Sequence, residues 1–294
     1  MAMSYFGLLA WSLVVIRASG WVAPPPRTAV VGGVVRGSTL RRIGAEESST
    51  EPPPPQPGLG KKCVVLGASG QTGRKAVRSL LDRGFDVVAG VRDSSKADKE
   101  LAQDARVTLL SMDIVEDSPA QLARHVKGTD AVICATGFTR RFPPDPTGPL
   151  RVEYLGVKKL VDACADARVP KFVLVSSILT NGLASGQALN PAFLALNLLG
   201  GTLLLKRQAE KYIEGQAFLD WTIVRPGGLK DADPSGEILF SSADTLSGGS
   251  ISRAQVAEVA VEAILQPGAS RKIVEVVASE DVPAASFADG FASV

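Results

Sequence analysis

Short apolar runs and amphipathic stretches alternate along most of this chain. Cys63–Leu66, Asp86–Val91, Val107–Leu110, Ala131–Ala135, Lys171–Val175 and Trp221–Val224 each end in small or polar residues, as buried parallel strands do. Between them lie segments with apolar residues at helical spacing. Arg74–Arg83 carries Ala76, Val77, Leu80 and Leu81 on one face, and Leu150–Ala167, Leu203–Glu214 and Ala254–Leu265 follow the same rule. Lys272–Val277 reads as a closing edge strand. The alternation predicts an α/β domain with a doubly wound, mostly parallel sheet and helices on both faces. Right-handed crossovers place every strand's carboxyl end on one edge. Gly67, Arg92, Asp113, Thr136, Ser177 and Gly227 are therefore expected to converge on one crevice.

The first sixty residues do not follow that rhythm. Tyr5–Ile16 is an apolar run of about twelve residues, short of the roughly twenty that a membrane-spanning helix needs. It ends in Arg17-Ala18-Ser19-Gly20, whose small residues suit signal-peptidase cleavage. Trp21 to Arg42 then carries four arginines and no acidic residue, the composition of a plastid transit peptide. Together these resemble the bipartite leaders of algae with secondary plastids, with Trp21 in place of the usual Phe; a simple secretory leader with a disordered stem is the other reading. A Pro-rich spacer runs from Glu51-Pro52 to Gly58. The expected organisation is a signal peptide over 1–20, a transit peptide and linker over 21–60, and a folded body over 61–294.

Charge and side-chain inventory narrow the function. Residues 1–60 hold five arginines and three glutamates, which leaves 27 basic against 27 acidic residues in the body. Such a neutral body lacks the cationic face that nucleic-acid binding requires. Cys63, Cys134 and Cys164 form no CxxC pair or metal-ligand spacing and read as reduced, buried thiols. His125 is the single histidine, so a multi-histidine metal centre is excluded and no metal site is expected.

The strongest chemical signal is Gly67-Ala68-Ser69-Gly70-Gln71-Thr72-Gly73, set directly between the first strand and the first helix. A glycine triplet alone is weak evidence; in this context it is specific. Gly67 permits the tight turn, Gly70 lets the backbone approach a pyrophosphate, and Gly73 allows close helix–strand packing. The unpaired amides at the helix start then face the phosphates, as in a Rossmann-type dinucleotide site. The second strand ends at Arg92-Asp93, where the adenosine ribose would lie. An arginine first after the strand favours the 2′-phosphate of NADP(H) over NAD(H).

Gly67–Gly73, Val91-Arg92-Asp93, Ile133–Gly137 and Val175-Ser176-Ser177 together resemble the atypical short-chain dehydrogenases/reductases with an NmrA-like NAD(P)H-binding domain. Lys206–Glu210, Ile223–Gly228 and Ile251–Leu265 bring the likeness nearest to the plastid flavin reductase-related proteins, and the resemblance covers about residues 61–294. It implies that Gly67, Ser69, Gly70, Gln71, Thr72 and Gly73 hold the pyrophosphate and Arg92 the 2′-phosphate. Asp113 and Ile114 would face the adenine, Ala135, Thr136 and Gly137 the nicotinamide ribose, and Pro226 and Gly227 the carboxamide.

The same resemblance exposes a departure. The superfamily's usual Ser, Tyr and Lys are represented by Ser177 and Lys206, with Glu210 four residues on, but Thr202 stands where the Tyr belongs. A threonine hydroxyl titrates far above a phenol, whose pKa is about 10, and cannot replace it as an acid. The Asn of the preceding long helix is replaced by Tyr154, which reads as a buried structural tyrosine in preference to one that reaches the nicotinamide. Carbonyl chemistry loses its proton donor, whereas a conjugated acceptor can take its proton from solvent. The leading expectation is an NADPH-dependent reductase of a flavin or quinone-like small molecule in the plastid, with Lys206 and Ser177 as catalytic candidates. The alternative is a non-catalytic NADP(H)-sensing or assembly protein associated with a plastid membrane or complex. The apolar segment Pro191–Leu199 leaves core, lid and docking surface open.

Overall fold

A computed structural model describes residues 56–294 apart from 94, 96–98, 100, 140–144 and 199. The signal and transit segments expected over residues 1–55 lie outside the described residues. The chain runs β1 (Lys62–Leu66), α1 (Gln71–Asp82), β2 (Asp86–Val91), β3 (Val107–Ser111), α2 (Pro119–Val126) and β4 (Ala131–Cys134). It continues through α3 (Val157–Asp166), β5 (Lys171–Val175), α4 (Pro191–Asn197), α5 (Thr202–Glu214) and β6 (Asp220–Pro226). After β7 (Gly228–Lys230), β8 (Glu237–Ser242) and β9 (Ser250–Ser252) come α6 (Arg253–Leu265), β10 (Lys272–Ser279) and α7 (Phe287–Ala292).

Eight strands form one sheet in the order β3-β2-β1-β4-β5-β6-β10-β8, while β7 and β9 pair separately. Every pairing in the large sheet is parallel except β10 with β8. This is the expected Rossmann-type α/β fold. The pleat sends Cys63 and Val65 of β1 into a core with α1, α6 and Phe291 of α7. Val64 and Leu66 enter a second core with α2, α3 and α5. Both faces are covered, which is why the central strands are continuously apolar.

Two elements differ from expectation. β10 is not the sheet edge: it lies between β6 and the antiparallel β8, and β8 forms the edge. The sequence of β8, EILFSS, is mostly half-buried and carries too little apolar signal to read as a strand. Phe240 of β8 is covered by α7, with ring centroids 6.3 Å from Phe287 and 5.3 Å from Phe291. The helix expected from Leu150 begins with a wider, π-helical winding over Leu150–Gly156 before α3.

The apolar segment after β5 is not core. Phe193 alone of α4 is buried, whereas Leu189 and Leu198 are 86% and 79% exposed and Leu183, Leu194, Leu196 and Leu204 are also exposed. The segment is nevertheless tethered. Asn181 Nδ2 donates to Asp244 at 2.8 Å, Asn190 Nδ2 to the Ser247 carbonyl at 2.9 Å, and Asn197 Oδ1 accepts the Leu203 amide at 3.0 Å. No helix among the described residues is long and apolar enough to cross a membrane.

At the carboxyl edge a charged cluster has a buried centre. Arg225, Glu210 and Glu275 each have 0% exposure. Arg225 donates to Glu210 through Nε at 3.0 Å and Nη2 at 2.7 Å, and through Nη1 to Glu275 at 3.2 Å and Asp244 at 2.8 Å. Burial works against the guanidinium charge, but the Glu210 and Asp244 carboxylates more than offset it. Replacing Arg225 with Met leaves the buried Glu275 without its cation and Glu210 with Arg207 alone, at 3.3 Å. Denaturant titration should show a loss of about 3–5 kcal/mol; a midpoint within error of the parent would contradict this role.

Candidate functional site

The sheet reverses its order at β1, which pairs with β2 on one side and β4 on the other, and the glycine turn follows β1 at that switch point. Gly67 has φ +79°, and a Cβ there would stand 2.9 Å from the Ala135 carbonyl oxygen. A Cβ on Gly73 would lie 2.1 Å from the Gly67 carbonyl oxygen, so α1 packs onto the turn at a distance only glycine permits. The Gly70 amide donates back to Gly67 at 2.8 Å and closes the turn. Helices α2, α6 and α7 start with a serine that caps a backbone amide, whereas Gly70 gives α1 no side-chain cap. The first amides of α1 are thereby left for an anion.

Gly67, Ser69, Gly70, Arg92, Asp113, Ile114, Ala135, Thr136 and Gly137 line one crevice of about 240 Å³. The ends of β1, β2, β3 and β4 are thus brought together as expected. Gln71 and Thr72 form the first turn of α1, and Gly73 is buried in the contact just described. Ser177, Lys206, Pro226 and Gly227 lie outside the lining, toward β5 and β6. Ser177 is half-buried just past β5, and the Pro226 carbonyl accepts the Ile178 amide at 3.0 Å. Gly227 is required by packing, because a Cβ there would stand 2.7 Å from both the Gly249 carbonyl oxygen and Val277 Cγ1.

At the β2–β3 end Arg92 is exposed at the mouth. Asp113 Oδ1 accepts the Val115 amide at 2.8 Å, while the Asp113 amide donates to Asp117 at 2.9 Å. This double turn lowers Ile114 into the wall, where a Cβ on Gly156 would clash with it at 2.9 Å. A neighbouring hollow of about 220 Å³ shares Arg92, Asp113 and Gly137 and adds Arg151, which is ion-paired with Asp145 at 2.5 Å.

At the β4–β5 end the decisive contact is one the sequence reading missed. Lys206 Nζ lies 2.8 Å from Glu153 Oε2, with the two side chains only 14% and 3% exposed. The other carboxylate oxygen, Glu153 Oε1, accepts the Phe138 amide at 2.7 Å. Glu153, not Tyr154, therefore faces Lys206; Tyr154 packs half-buried against the second core. The π-helical winding sets which residue of this segment turns inward, and a 3.6-residue wheel does not anticipate it. Burial depresses the Lys206 pKa, but the charge and hydrogen bond of Glu153, with the charges at Cys134 and Glu210, together outweigh it and hold the ammonium above its ordinary range. Thr202 opens α5 four residues before Lys206. Glu210, in register with it, belongs to the Arg225 cluster and also accepts from Ser176 at 2.6 Å.

Asp231 and Arg253 were also missed. Asp231 accepts from Gln71 Nε2 at 3.0 Å and pairs with Arg253 at 2.9 Å, linking the glycine turn to the start of α6. Nothing in local sequence marks that link, which spans 160 residues.

Among the described residues no group of three or more His, Cys, Asp and Glu side chains is placed to hold a metal ion. The three thiols are free and buried, and burial is the first cause that raises the pKa of each. Ellman's reagent should label none of them in the native protein and all three in guanidinium; rapid labelling of native Cys134 would show that its side of the crevice is open.

The profile of a family described as NAD(P)H-binding matches residues 67–267. The chain is 53% identical over 236 residues to an uncharacterized chloroplastic protein of Arabidopsis thaliana, a match covering 80% of this chain and 82% of that one. It is 37% identical over 237 residues to the chloroplastic protein TIC 62 of Pisum sativum, covering 74% of this chain and 43% of that protein. The chain thus spans less than half the length of the latter relative. Among solved structures, ChuY, an anaerobilin reductase from Escherichia coli O157:H7, superposes with a TM-score of 0.62 at 22% identity. That match covers 76% of this chain and 100% of ChuY.

Proposed function

The chain belongs to the NAD(P)H-binding family, and from that membership we propose that it is an atypical, NmrA-like short-chain dehydrogenase/reductase acting as an NADPH-dependent reductase of a flavin or quinone-like acceptor in the plastid. The observation that carries the reading is the single crevice in which the glycine turn, Arg92 and Thr136-Gly137 meet, with Lys206 beside it.

In this reading the α1 amides, Ser69, Gly70, Gln71 and Thr72 bind the pyrophosphate, and Gly67 and Gly73 shape the turn. Arg92 grips the 2′-phosphate; Asp113 and Ile114 border the adenine. Ala135, Thr136 and Gly137 line the nicotinamide ribose, with Pro226 and Gly227 at the carboxamide. The Lys206 ammonium has three donors, and the Glu153 carboxylate leaves donors over for the ribose hydroxyls. Ser177 sits at the end of β5, on the acceptor side. When bound, NADPH supplies a hydride; the balancing proton comes from solvent, because Thr202 offers no acid of suitable strength. A conjugated acceptor that spreads the added charge tolerates this, and a simple carbonyl does not. The anaerobilin reductase named above lends support at the level of fold.

Plastid residence is supported by the chloroplastic relatives and by the arginine-rich, acid-free stretch Trp21–Arg42. Residues 1–20 and 21–60 act as the two parts of the leader, and 61–294 as the nucleotide-binding body. A second reading, a non-catalytic NADP(H)-sensing or assembly protein at a plastid membrane or complex, is favoured by the exposed leucines between Leu183 and Leu204.

Calorimetric titration tests the cofactor. Arg92→Ala should weaken NADPH binding about tenfold, the worth of one charge-assisted phosphate contact, and leave NADH binding unchanged. Equal losses for both nucleotides would remove the 2′-phosphate assignment. Steady-state NADPH oxidation with flavin and quinone acceptors separates the two readings. Turnover above the protein-free control supports the reductase; NADPH binding without turnover, together with co-fractionation that follows the NADP+/NADPH ratio, supports the second.

A further inference from the structure

Glu153 is an unusual residue to bury at the edge of a nucleotide crevice. It is 3% exposed, its neighbour Val152 lines the crevice, and its Oε1 lies 3.8 Å from where a Cβ on Gly137 would stand. One carboxylate oxygen meets Lys206 on α5 and the other the Phe138 amide after β4, so a single side chain joins the two walls there. The sheet order fixes which half of the crevice this is. Arg92 follows β2 on one side of the switch point, whereas the pair stands beside the end of β4, on the side that leads to β5 and β6. A dinucleotide laid across the switch point with its adenosine at Arg92 brings its nicotinamide to the Glu153–Lys206 side.

The two ends of the redox couple differ at that location by one charge: the oxidised ring is a cation and the reduced ring is neutral. We propose that Glu153 is a specificity-determining residue that, by cancelling the Lys206 charge beside the nicotinamide, sets the balance between NADP+ and NADPH binding. This rests on the nucleotide site proposed above. The other charges nearby are committed elsewhere. Glu210 is paired with Arg225 and Arg207, Arg207 also pairs with Glu214, and Cys134 is a buried thiol whose pKa lies above its usual value. The pair is therefore the local charge balance. An ammonium alone repels the oxidised ring and leaves the reduced ring untouched; a carboxylate alone favours the oxidised ring. In a partly buried site a unit charge several ångströms away is worth about tenfold in affinity.

The test is the ratio of the dissociation constants for NADP+ and NADPH, measured by calorimetry on the full chain and three variants. Glu153→Gln keeps an oxygen for the Phe138 amide and removes the negative charge; the ratio should rise about tenfold. Lys206→Met should lower both affinities by removing the ribose donor while the ratio falls about tenfold. The double variant E153Q/K206M should return to within about twofold of the parent ratio, a cancellation that a merely structural role would not produce. Ratios unchanged in both single variants, or shifted the same way in both, overturn the proposal. Should one single variant fail to fold, the other and the double variant still carry the sign. Failure of the parent chain to bind either nucleotide would instead overturn the reading of the site itself.

Discussion

The enclosed guanidinium of Arg225 is the constraint around which the ligand edge is organised. It lies at the end of β6 and reaches α5 through Glu210, β10 through Glu275, and the β8–β9 connection through Asp244. Each carboxylate then recruits further partners. Glu210 accepts from Ser176 and Thr180 after β5, and Glu275 accepts the amides of Asp244, Thr245 and Leu246. Desolvating such charges is unfavourable, and an apolar core of similar volume is often as stable. What the cluster does provide is position. It fixes the roll of α5, one turn before Glu210 on which Lys206 sits, against the carboxyl ends of β5 and β6.

Two charged assemblies on the same helix thus play different parts. The one around Glu210 and Arg225 is buried except at Asp244 and holds elements together. The one at Lys206 stands at the border of a crevice and has donors to spare. In the proposed nucleotide site, this separation of support from ligand contact lets the second assembly vary chemically while the first keeps the backbone in place.

The sequence made the central fold legible because buried parallel strands need uninterrupted apolar runs. Cys63–Leu66, Ala131–Cys134 and Lys171–Val175 carry that mark, and the glycine turn between the first strand and helix left little ambiguity. The edge was harder. Glu237–Ser242 is wetted along much of its length, so its composition resembles a loop, and β10 was taken for the boundary it covers. Arg225 was equally opaque: flanked by Val224 and Pro226 at a strand end, it looks like any solvated arginine until three carboxylates from distant segments surround it. Glu153 was displaced from view by a local winding that departs from the regular helical period. In each case the missing information was a long-range contact or a change of period, neither of which a short window of sequence contains.

The late position of α7 bears on how the sheet is completed. Phe240 on the outer strand is roofed by Phe287 and Phe291, and Gly290 lets that helix settle directly on the ring, since a Cβ there would stand 2.5 Å from Phe240 Cδ2. Lys272 at the start of β10 clasps the carbonyls of Phe291 and Val294. During synthesis, or while threading through any narrow pore amino end first, β8 and β10 emerge before the helix that shields them. For that interval the aromatic flank stays open to solvent and to other chains.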